Sequence, residues 1–560
     1  MHTWFSRLAT ALLLLIAGLA LLWPPVLWSL LVVAPLVGIG LHDRFQHKHT
    51  VRRNFPLFGR GRWIMEWLRP YVRQYLLESD TDGAPINRMF RNVVYQRAKN
   101  ELDTVPFGTR VDTYRTGYEW IGHSLSAIAV NEIDEDAMRI RVGGPDCTRP
   151  YSASVLNISA MSFGALSRNA VLALSRGAAS GKFYHNTGEG GISPYHLEGG
   201  ADLVWQIGTG YFGCRDEQGH FAPGPFQEQA ALEAVKMIEI KLSQGAKPGH
   251  GGILPADKNT PEIARIRGVL AGTQIDSPPT HTAFDSPLGL VRFIARLREL
   301  ADGKPIGIKL AIGRRSEFIA ICKAMVETGI TPDFITVDGG EGGTGAAPLE
   351  YANSIGMPLR EALAFADDCL IGYGLREQVR IIASGKILTG FHMVKNLALG
   401  ADICNSARGM MLALGCVQSL VCNTNHCPTG VATQDPHLMR GLVVPDKADR
   451  VRNFHAKTMH AAVDIIASAG LWHTAELNRT HIHRRVSQYE IMRYDQMFPH
   501  IHSGCLLSGD IPETFALDVR EADPRSFMPR QHLTQIEDEC IEVGDREGTK
   551  DVRETAVESI

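Results

Sequence analysis

From about residue 151 onward, short runs of β-forming residues alternate with stretches of helical periodicity, and most runs end in glycine or polar clusters. This alternation predicts a parallel sheet whose strands are joined by helices. The eight candidate strands are 155–161, 182–186, 237–242, 273–277, 305–312, 333–338, 379–384 and 401–407, and the candidate helices include 167–180, 286–302, 315–329 and 389–399. Eight such units favour an α/β fold of the (β/α)₈ TIM-barrel type over a doubly wound sheet, and we place this barrel at residues 151–475.

Two apolar runs near the N-terminus, residues 8–23 and 26–41, flank Pro24 and Pro25. Together they are longer than one crossing of a hydrocarbon core of about 30 Å requires, and the prolines suit a turn between two short helices. We therefore predict a transmembrane helical hairpin over residues 1–41. Basic residues flank it on both sides, so the positive-inside rule places both ends in the cytoplasm and the protein at the inner (plasma) membrane. A cleaved signal peptide is the alternative, although no clean small-x-small cleavage site follows the first run.

The remaining segments carry no catalytic constellation of their own. Residues 42–150 are polar and rich in arginine and aromatic residues, and we expect a small N-terminal extension that packs on the barrel. Residues 476–560 end in an acidic, proline-spotted stretch and are expected to be a partly mobile C-terminal tail. With 44% hydrophobic residues, 21% charged residues and a net charge of -3, the composition gives no indication of a nucleic-acid partner. The ten cysteines are scattered apart from one cluster, which indicates a reducing compartment.

In a barrel of this kind the chemistry belongs to the loops at the carboxyl ends of the strands, and the last two loops commonly bind a phosphate. The loop after the seventh candidate strand contains Gly385 and Lys386, and the loop after the eighth contains Ala407 and Arg408. Their paired arrangement predicts a phosphate site built from backbone N–H groups and basic side chains. The alternative is that the glycines in these loops only form tight turns.

Two further features concern a ligand at the same end of the barrel. The stretch GEGGTG at residues 340–345 matches the G-x-G-x-x-G pattern of dinucleotide-binding folds. It follows the sixth candidate strand, and no acidic residue ends a strand about 20 positions later, so we interpret it as a flexible wall over a flat ligand. Lys309 lies inside an apolar strand, where an unpaired ammonium is costly. It is either ion-paired with a neighbouring strand or a cation beside an electron-rich cofactor ring, where it would stabilise the reduced anion.

Three cysteines, Cys416, Cys422 and Cys427, lie within twelve positions, and a proline follows the last of them. Structural zinc usually takes four ligands in spaced pairs, and the neighbours His426 and Cys427 would rarely reach one tetrahedral ion together. A disulfide would leave one thiol over and does not suit a reducing compartment. Thiolate clusters with a proline after the last cysteine resemble iron–sulfur ligation, and accidental core cysteines remain the alternative.

Between Ser159 and Gln434 the chain resembles the synthase domain of glutamate synthase. The shared motifs are SAMSFGALS, NTGEGG, AKPGHGGILP, SPPTH, DGGEGGTGAAPL and CNTNHCPTGVATQ. In that family the barrel binds FMN, and three cysteines at this spacing hold a 3Fe-4S cluster, so the resemblance implies Cys416, Cys422 and Cys427 as the metal ligands. The predicted cofactor-binding residues are Ala160, Met161, Ser162, Asn186, Lys309, Gly340, Gly342, Ser384, Gly385, Lys386, Ala407 and Arg408. The N-terminal hairpin further suggests the short, membrane-associated branch of the family.

The resemblance implies an oxidoreductase that reductively aminates 2-oxoglutarate to L-glutamate with ammonia. Electrons would come from a partner protein, either a ferredoxin or a separate reductase subunit. Lys247 and Lys258 are the candidate partners of the substrate carboxylates, and Glu189 is the candidate for proton handling or imine orientation. His250 stands where the family's loop usually has glutamate and is expected to titrate near neutral pH, which leaves the specificity for the 2-oxo acid open.

The sequence also departs from the large glutamate synthases. No cysteine precedes Cys147, so we expect no amidotransferase nucleophile and no glutamine hydrolysis by that route. We likewise expect neither the C-terminal β-helical domain of the large enzymes nor a pyridine-nucleotide domain. Two alternative functions stay open. One is a dehydrogenase or synthase for another amino or N-methyl amino acid coupled to a membrane electron carrier, and the other is a non-catalytic electron-transfer subunit.

Overall fold

The computed structural model describes residues 2–135, 138–528 and 530. The chain divides into two compact units, one up to Met89 and one from Phe90 onward. The division between them lies inside the predicted N-terminal extension, residues 42–150. The end of the predicted C-terminal tail, residues 531–560, lies outside the described residues.

The first unit begins with two apolar helices, His2–Leu22 and Leu30–Phe45, joined by the 3₁₀ turn Pro24–Ser29. The spans Trp4–Leu22 and Pro24–Phe45, the second of which includes the 3₁₀ turn, have mean hydropathies of 2.1 and 1.9, and by length and composition both can cross a bilayer. A hydrogen bond from the Arg44 guanidinium to the Ser6 hydroxyl joins the end of the second helix to the start of the first, so the two helices form a hairpin. The unit continues with the helices Thr50–Asn54 and Arg60–Val72 and the π-helical turn Arg73–Leu77.

The second unit is built around a closed barrel of eight parallel strands. In chain order these are β1 Leu156–Ile158, β2 His185–Asn186, β3 Leu203–Ile207, β4 Val235–Lys241, β5 Ile306–Leu310, β6 Phe334–Asp338, β7 Arg380–Ser384 and β8 Ile403–Ser406. Each strand pairs with its neighbours in chain order, and β8 pairs with β1 to close the ring. The predicted (β/α)₈ TIM barrel is therefore confirmed.

Helices connect the barrel strands and cover the outside of the barrel. Four of them, Arg168–Gly181, Pro287–Leu300, Arg315–Thr328 and Gly390–Ala398, coincide with the four predicted helices to within two residues. Ser167, Ser286 and Thr389 begin three of these helices, because each side chain accepts a hydrogen bond from a backbone N–H of the first turn. The other helices are Arg88–Ala98, Pro194–Gly199, Pro223–Ala230, Pro261–Arg267, Leu349–Ser354, Leu359–Gly372, Arg408–Ala413, Pro436–Met439, Val444–Ser468, Tyr494–Met497, Cys505–Ser508 and Glu513–Glu521.

One strand assignment made from the sequence was wrong, and one barrel strand was missed. The third barrel strand is Leu203–Ile207, which was not among the candidates, and the run 273–277 contributes no barrel strand. Instead, Ile275–Asp276 pairs antiparallel with Ile253–Leu254 in a small ribbon within the long connection after β4. Both runs are short and contain β-branched or aromatic residues, so residue pattern alone could not separate them. As a consequence, the AKPGHGGILP motif follows the fourth strand of the barrel.

A hairpin of the strands Arg139–Val142 and Tyr151–Ser154 closes the amino-terminal end of the barrel. The backbone N–H of Gly144 donates to the carboxylate of Asp333, the residue before β6, at 2.7 Å. Two hairpin residues are fully buried in a core cluster with side chains from the barrel, and the cluster comprises Val142, Ala153, Tyr184, Val204, Met237, Phe334, Ile382 and Ile403. Side chains therefore fill the bottom of the barrel, and the opposite, carboxyl end is left for a site.

Part of the predicted C-terminal tail is folded onto the second unit. Ile482–Arg485 lies between Glu119–Ile121 and Ile491–Arg493 in a three-stranded antiparallel sheet. Helix Glu513–Glu521 packs against helix Arg315–Thr328 of the barrel. Segments that precede the barrel in the sequence and segments that follow it therefore both pack on its outer helices.

Candidate active site

A cavity opens at the carboxyl end of the barrel. Its lining residues are Ser159, Ala160, Ser162, Gly188, Glu189, Gln206, Lys241, Gln244, Lys309, Asp338, Gly342, Gly343, Ser384, Gly385, Lys386, Ile387, Ala407 and Arg408. Nine of the twelve predicted cofactor-binding residues lie in this wall, together with Glu189. The sequence prediction that the loops after β1, β2, β6, β7 and β8 converge on one site thus agrees with where the structure places them.

One part of the cavity wall is cationic. It contains Lys386, whose backbone is in the left-handed region with a φ of 49°, and Arg408, which begins the helix after β8. Burial, followed by the charge of Arg408, lowers the pKa of the Lys386 ammonium. The Arg408 guanidinium donates to the backbone carbonyl oxygen of Glu341 at 2.5 Å, which fixes its position across the barrel mouth. Two neighbouring cations in a partly buried wall favour a bound anion such as a phosphate.

Lys309 of β5 also borders the cavity, and it is ion-paired. Its ammonium nitrogen lies 3.6 Å from Oδ2 of Asp338 at the end of β6, and both side chains are 7% exposed. Asp338 additionally accepts a hydrogen bond from the backbone N–H of Gly245 at 2.8 Å. The ion pair with a neighbouring strand therefore exists, and it leaves Lys309 in the cavity wall. Its role beside a cofactor ring stays a prediction.

The wall also holds a buried ion pair that the sequence analysis did not predict. Lys241, the last residue of β4, donates to Oε1 of Glu189 at 2.7 Å and to Oε1 of Gln244 at 2.6 Å. Burial alone would raise the pKa of Glu189, but the charges of Lys241 and Arg267 outweigh it and hold that pKa below its ordinary value. Glu189 is therefore an ionised carboxylate at neutral pH. In that state it can accept hydrogen bonds or a proton, and it has no proton to donate.

Two glycines make room for this carboxylate. A Cβ at Gly208 would lie 2.5 Å from Oε2 of Glu189, and a Cβ at Gly252 would lie 2.4 Å from Oε1. Distances of this size are not tolerated, so a larger residue at either position would displace Glu189 or its own loop. Gly252 belongs to the AKPGHGGILP motif in the loop after β4, which therefore shapes the surroundings of Glu189.

Lys247 and His250 lie in the loop after β4 but are not part of the cavity wall. The Lys247 ammonium donates to the backbone carbonyl oxygen of Ala346 at 2.9 Å and so joins this loop to the one after β6. Burial, followed by the charge of Lys241, lowers the pKa of Lys247 to about 8. The ring of His250 lies edge-on to Tyr351, with 5.4 Å between the ring centroids.

Lys258 contacts the cysteine loop instead of lining the cavity. The residue is 2% exposed, and its ammonium donates to the backbone carbonyl oxygens of Ala165, Cys422 and Ala432 at 3.2, 2.7 and 2.8 Å. An ammonium group has three protons, so these bonds use all of them. Lys258 therefore has no donor left for a substrate carboxylate, and it ties three separate loops together.

The cysteine loop presents Cys416, Cys422 and Cys427 as free cysteines. Burial would raise the pKa of Cys427, but hydrogen bonds from the Thr429 hydroxyl and from nearby backbone N–H groups hold that pKa below its ordinary value. Burial raises the pKa of Cys416 to about 11, and burial followed by the charge of Cys427 raises the pKa of Cys422. A sulfur that accepts several N–H bonds is prepared to be a thiolate ligand, as at Cys427.

The three sulfurs are not gathered closely enough to share one tetrahedral ion. In the described part of the chain, they do not belong to any group of ligand atoms that all lie within 4.8 Å of one another. One tetrahedral zinc with bonds of about 2.3 Å would hold its sulfurs roughly 3.8 Å apart. The loop is also strained, because Gln418, Leu420 and Asn425 have φ values of 54°, 58° and 63°.

Three predicted cofactor-binding residues lie outside the wall. Met161 is buried, Asn186 donates to the carboxylate of Glu239 at 2.9 Å, and the Gly340 N–H donates to a backbone carbonyl oxygen at 2.8 Å. The wall residues that the sequence analysis missed are Ser159, Gly188, Gln206, Lys241, Gln244, Asp338, Gly343 and Ile387. Lys241 carries the signal that singled out Lys309, a lysine in an apolar strand, and could have been found in the same way.

Similar proteins are known for most of the chain. Residues 134–472 match the family described as a conserved region in glutamate synthase. The chain is 36% identical over 507 residues to the glutamate synthase large subunit-like protein YerD of Bacillus subtilis strain 168. The alignment covers 83% of this chain and 96% of the relative. It is 31% identical over 433 residues to the archaeal-type glutamate synthase (NADPH) of Thermotoga neapolitana, with coverages of 75% and 80%. Among solved structures, a double mutant of flavocytochrome b2 with pyruvate bound matches with a TM-score of 0.40 and 13% identity, over 80% of this chain and 91% of that one.

Proposed function

This chain belongs to the glutamate synthase family, and we propose on that basis that it reductively aminates 2-oxoglutarate to L-glutamate with ammonia, FMN and electrons from a partner protein. One observation carries the proposal. A single cavity at the carboxyl end of the barrel combines the cations Lys386 and Arg408, the buried Lys309 and the ionised pair of Glu189 with Lys241. Lys386 and Arg408 can bind an anion, Lys309 places a positive charge inside the wall, and the Glu189 carboxylate can accept a hydrogen bond from an N–H group.

The residues of the cavity wall fit FMN. Lys386 and Arg408, with the backbone of Gly385 and Ala407, would hold its phosphate, because these two cations lie in the wall beside loop backbone that can donate N–H groups. Lys309 would supply positive charge to the flavin ring, which favours the reduced, anionic form. When bound, the flavin supplies the hydride for reduction of a carbon–nitrogen double bond.

The chain's own residues then bind and orient the substrate. The Glu189 carboxylate, kept ionised by Lys241, accepts a hydrogen bond from the N–H of the reacting nitrogen and fixes its direction. Lys247 lies outside the cavity wall, and its pairing with a substrate carboxylate stays a prediction. It rests on a pKa of about 8, which leaves the ammonium charged at neutral pH, and on its single hydrogen bond, to Ala346, among those described. His250 next to Tyr351 stays a prediction for substrate specificity, and Lys258 is better assigned to the cysteine loop.

The cysteine loop fits a 3Fe-4S cluster held by Cys416, Cys422 and Cys427. The support is the chemistry of the donor set, namely three free cysteines, one of which already accepts several hydrogen bonds at sulfur. When bound, the cluster supplies one-electron transfer between a donor protein and the flavin. Lys258 holds the loop by its bond to the Cys422 carbonyl oxygen and brings a positive charge close to the ligands.

The electron donor and the location follow from the same proposal. A ferredoxin or a separate reductase subunit would deliver the electrons. The helices His2–Leu22 and Leu30–Phe45 would anchor the protein in the inner (plasma) membrane with the barrel in the cytoplasm. Deletion of residues 1–41 should move the protein from the membrane to the soluble fraction, and an unchanged distribution would refute the anchor.

The test of the reaction is a direct assay. The full-length protein is purified under anaerobic conditions after expression with sufficient iron and riboflavin, and its flavin and iron are quantified. It is then mixed with 2-oxoglutarate, ¹⁵N-ammonium and a chemically reduced low-potential ferredoxin, and labelled L-glutamate is measured. We expect glutamate that carries ¹⁵N. Turnover of other amino or N-methyl amino acids only would establish the dehydrogenase alternative, and a fully loaded protein without any turnover would establish an electron-transfer subunit.

A further inference from the structure

The segment that follows the apolar hairpin is strongly basic. Between residues 46 and 77 the only acidic residue is Glu66, against seven basic ones: Lys48, Arg52, Arg53, Arg60, Arg62, Arg69 and Arg73. Most of this segment is the helix Arg60–Val72, which continues into the π-helical turn Arg73–Leu77. None of these residues has a part in the proposed reaction.

This helix is clamped to the end of the second apolar helix. Nε and Nη2 of Arg60 lie 2.7 Å from the two carboxylate oxygens of Asp43, which belongs to the last turn of Leu30–Phe45. The Asp43 side chain is fully buried and also accepts a hydrogen bond from the backbone N–H of Leu57 at 3.3 Å. A buried bidentate pair of this kind fixes geometry as well as distance. The basic helix therefore starts at the level where the apolar hairpin ends.

The helix is amphipathic. Arg62, Glu66, Arg69 and Arg73 follow one another at helical spacing and form one charged stripe. The rest of the circumference is largely apolar and contains Ile64, Met65, Trp67, Leu68, Tyr71 and Val72. Four of these side chains are more than half exposed in the described chain, with Ile64 at 53%, Met65 at 65%, Trp67 at 67% and Tyr71 at 52%. An apolar face of this size and exposure requires a cover that is not water.

We infer that the helix Arg60–Val72 lies in the plane of the membrane surface. Its apolar face enters the boundary between headgroups and acyl chains, and its arginines contact anionic phosphate headgroups. Three observations select a lipid surface as the cover: the clamp to the end of a bilayer-length hairpin, the excess of basic residues, and the aromatic residues Trp67 and Tyr71 on the apolar face. Tryptophan, tyrosine and arginine in this arrangement are typical of helices that lie at such an interface.

The inference rests on the proposed membrane hairpin for its location and adds a second, lipid-selective contact. The hairpin alone would insert into any bilayer of suitable thickness, because it is apolar. The arginine stripe, in contrast, contributes only where the leaflet carries negative charge, since each basic residue near such a surface gains electrostatic attraction. The structure therefore assigns the hairpin to insertion and the helix to recognition of anionic lipid.

The test measures how deeply two neighbouring positions of the helix enter the bilayer. Nitroxide labels are attached to full-length Ile64→Cys, on the apolar face, and to full-length Arg62→Cys, on the charged stripe, and the labelled parent protein corrects for native cysteines. Both proteins are reconstituted in vesicles of phosphatidylcholine with phosphatidylglycerol. We expect the label at position 64 to collide mainly with oxygen, which concentrates in lipid, and the label at position 62 mainly with an aqueous nickel chelate.

Three further comparisons complete the test. The contrast between the two labels should shrink in pure phosphatidylcholine and in an Arg69→Gln/Arg73→Gln variant. Equal accessibility of both labels to the nickel chelate would overturn the inference, and a contrast that does not depend on phosphatidylglycerol would overturn its headgroup part. Protection of position 64 that appears in detergent and grows with protein concentration would identify a second copy of the chain as the cover instead. Flotation of the vesicles reports the hairpin separately, so its failure cannot be confused with failure of the helix contact.

Discussion

The ammonium nitrogen of Lys258 lies 2.7 Å from the backbone carbonyl oxygen of Cys422, one of the three clustered cysteines. Two more of its hydrogen bonds go to the carbonyl oxygens of Ala165 and Ala432, so a single buried cation joins the loop after β1 to two points of the cysteine loop. A positive charge in a low-dielectric position acts strongly on neighbouring charges. The place of Lys258 therefore predicts an effect on the cluster and not on substrate binding.

Lys258→Gln should lower the reduction potential of the cluster. Reduction adds a negative charge, and the neighbouring ammonium stabilises that charge, so its removal makes the cluster harder to reduce. The potential is measured by a redox titration followed by electron paramagnetic resonance, on protein whose iron content has been determined. Lys258→Arg, which keeps the charge, should stay close to the parent protein.

Lys304→Gln is the matched control for this substitution. Lys304 is also buried, and its ammonium donates to the backbone carbonyl oxygens of Ala230 and Leu232 at 2.5 and 3.0 Å, at the closed end of the barrel. Its loss should leave the potential unchanged. A Lys258→Gln protein with full iron content and the parent's potential would show that the charge of Lys258 does not act on the cluster.

Cys422→Ser should abolish the iron–sulfur absorbance and leave the flavin in place. A serine hydroxyl is a poor substitute for a soft thiolate ligand, whereas the flavin residues lie in other loops. The measurements are the visible spectrum, iron per chain and flavin per chain. Cys147→Ser serves as the control, because Cys147 lies outside the cysteine loop and its sulfur donates to the carbonyl oxygen of Gly303 at 3.3 Å. Unchanged iron in Cys422→Ser would remove Cys422 from the ligand set.

The sequence predicted local features of this molecule well and distant contacts poorly. Strands such as β5 and β6 and their helices were recognisable because an apolar run, a loop and a helical period follow one another along the chain. The strand β3 was missed because a run such as Leu203–Ile207 can lie in a barrel or in a loop ribbon with equal local plausibility. The role of Lys258 was inaccessible because its partners come from two other loops that lie far from it in the sequence. In contrast, Lys241 was predictable, because it is a lysine inside the apolar run 237–242, the same pattern that marks Lys309.

The Michaelis constant for the 2-oxo acid should rise with pH through Lys247. The pKa of this ammonium is lowered to about 8, so the group is charged below that pH and loses its charge above it. Lys247→Gln should raise the constant roughly 10- to 100-fold at neutral pH, the usual effect of losing one charge-assisted hydrogen bond, and should remove the pH dependence. In Lys247→Arg the Michaelis constant should stay constant to higher pH, because a guanidinium keeps its charge there. An unaltered pH profile in Lys247→Gln would exclude the residue from carboxylate binding.

Glu189→Gln should lower kcat by about 10²- to 10³-fold with little change in the Michaelis constant for the 2-oxo acid. The amide has the size of the carboxylate but lacks the negative charge that orients an N–H group, and it leaves the Lys241 ammonium without its counter-ion. Glu198→Gln is the control, since Glu198 forms an exposed pair with Arg176 at 2.9 Å. Equal losses in both variants, or a change confined to the Michaelis constant, would argue against an orienting role for Glu189.

Arg479→Met should lower the free energy of unfolding more than an arginine-to-methionine substitution at the surface does. Arg479 is completely buried, and its guanidinium lies 3.1 Å from the carboxylate of Asp367 and 2.9 Å from that of Asp368. Burial raises the pKa of Asp368 to about 6, and the Arg479 charge opposes this rise, so without the arginine both carboxylates would be buried with less compensation. Breaking a buried pair of this kind costs roughly 3–5 kcal/mol.

The stability loss in Arg479→Met should also depend on pH, because the carboxylates can escape the penalty by taking up protons. The folded state of the variant would bind protons more tightly than the unfolded state, so its free energy of unfolding should fall as the pH rises from about 4 towards neutrality. Urea unfolding of both proteins at several pH values measures this slope. Arg493→Met, which removes the more exposed pair with Asp495 at 2.8 Å, should cost about 1 kcal/mol or less and should add no such slope. A pH-independent loss in Arg479→Met would show that packing of the arginine side chain, and not its charge, stabilises this end of the chain.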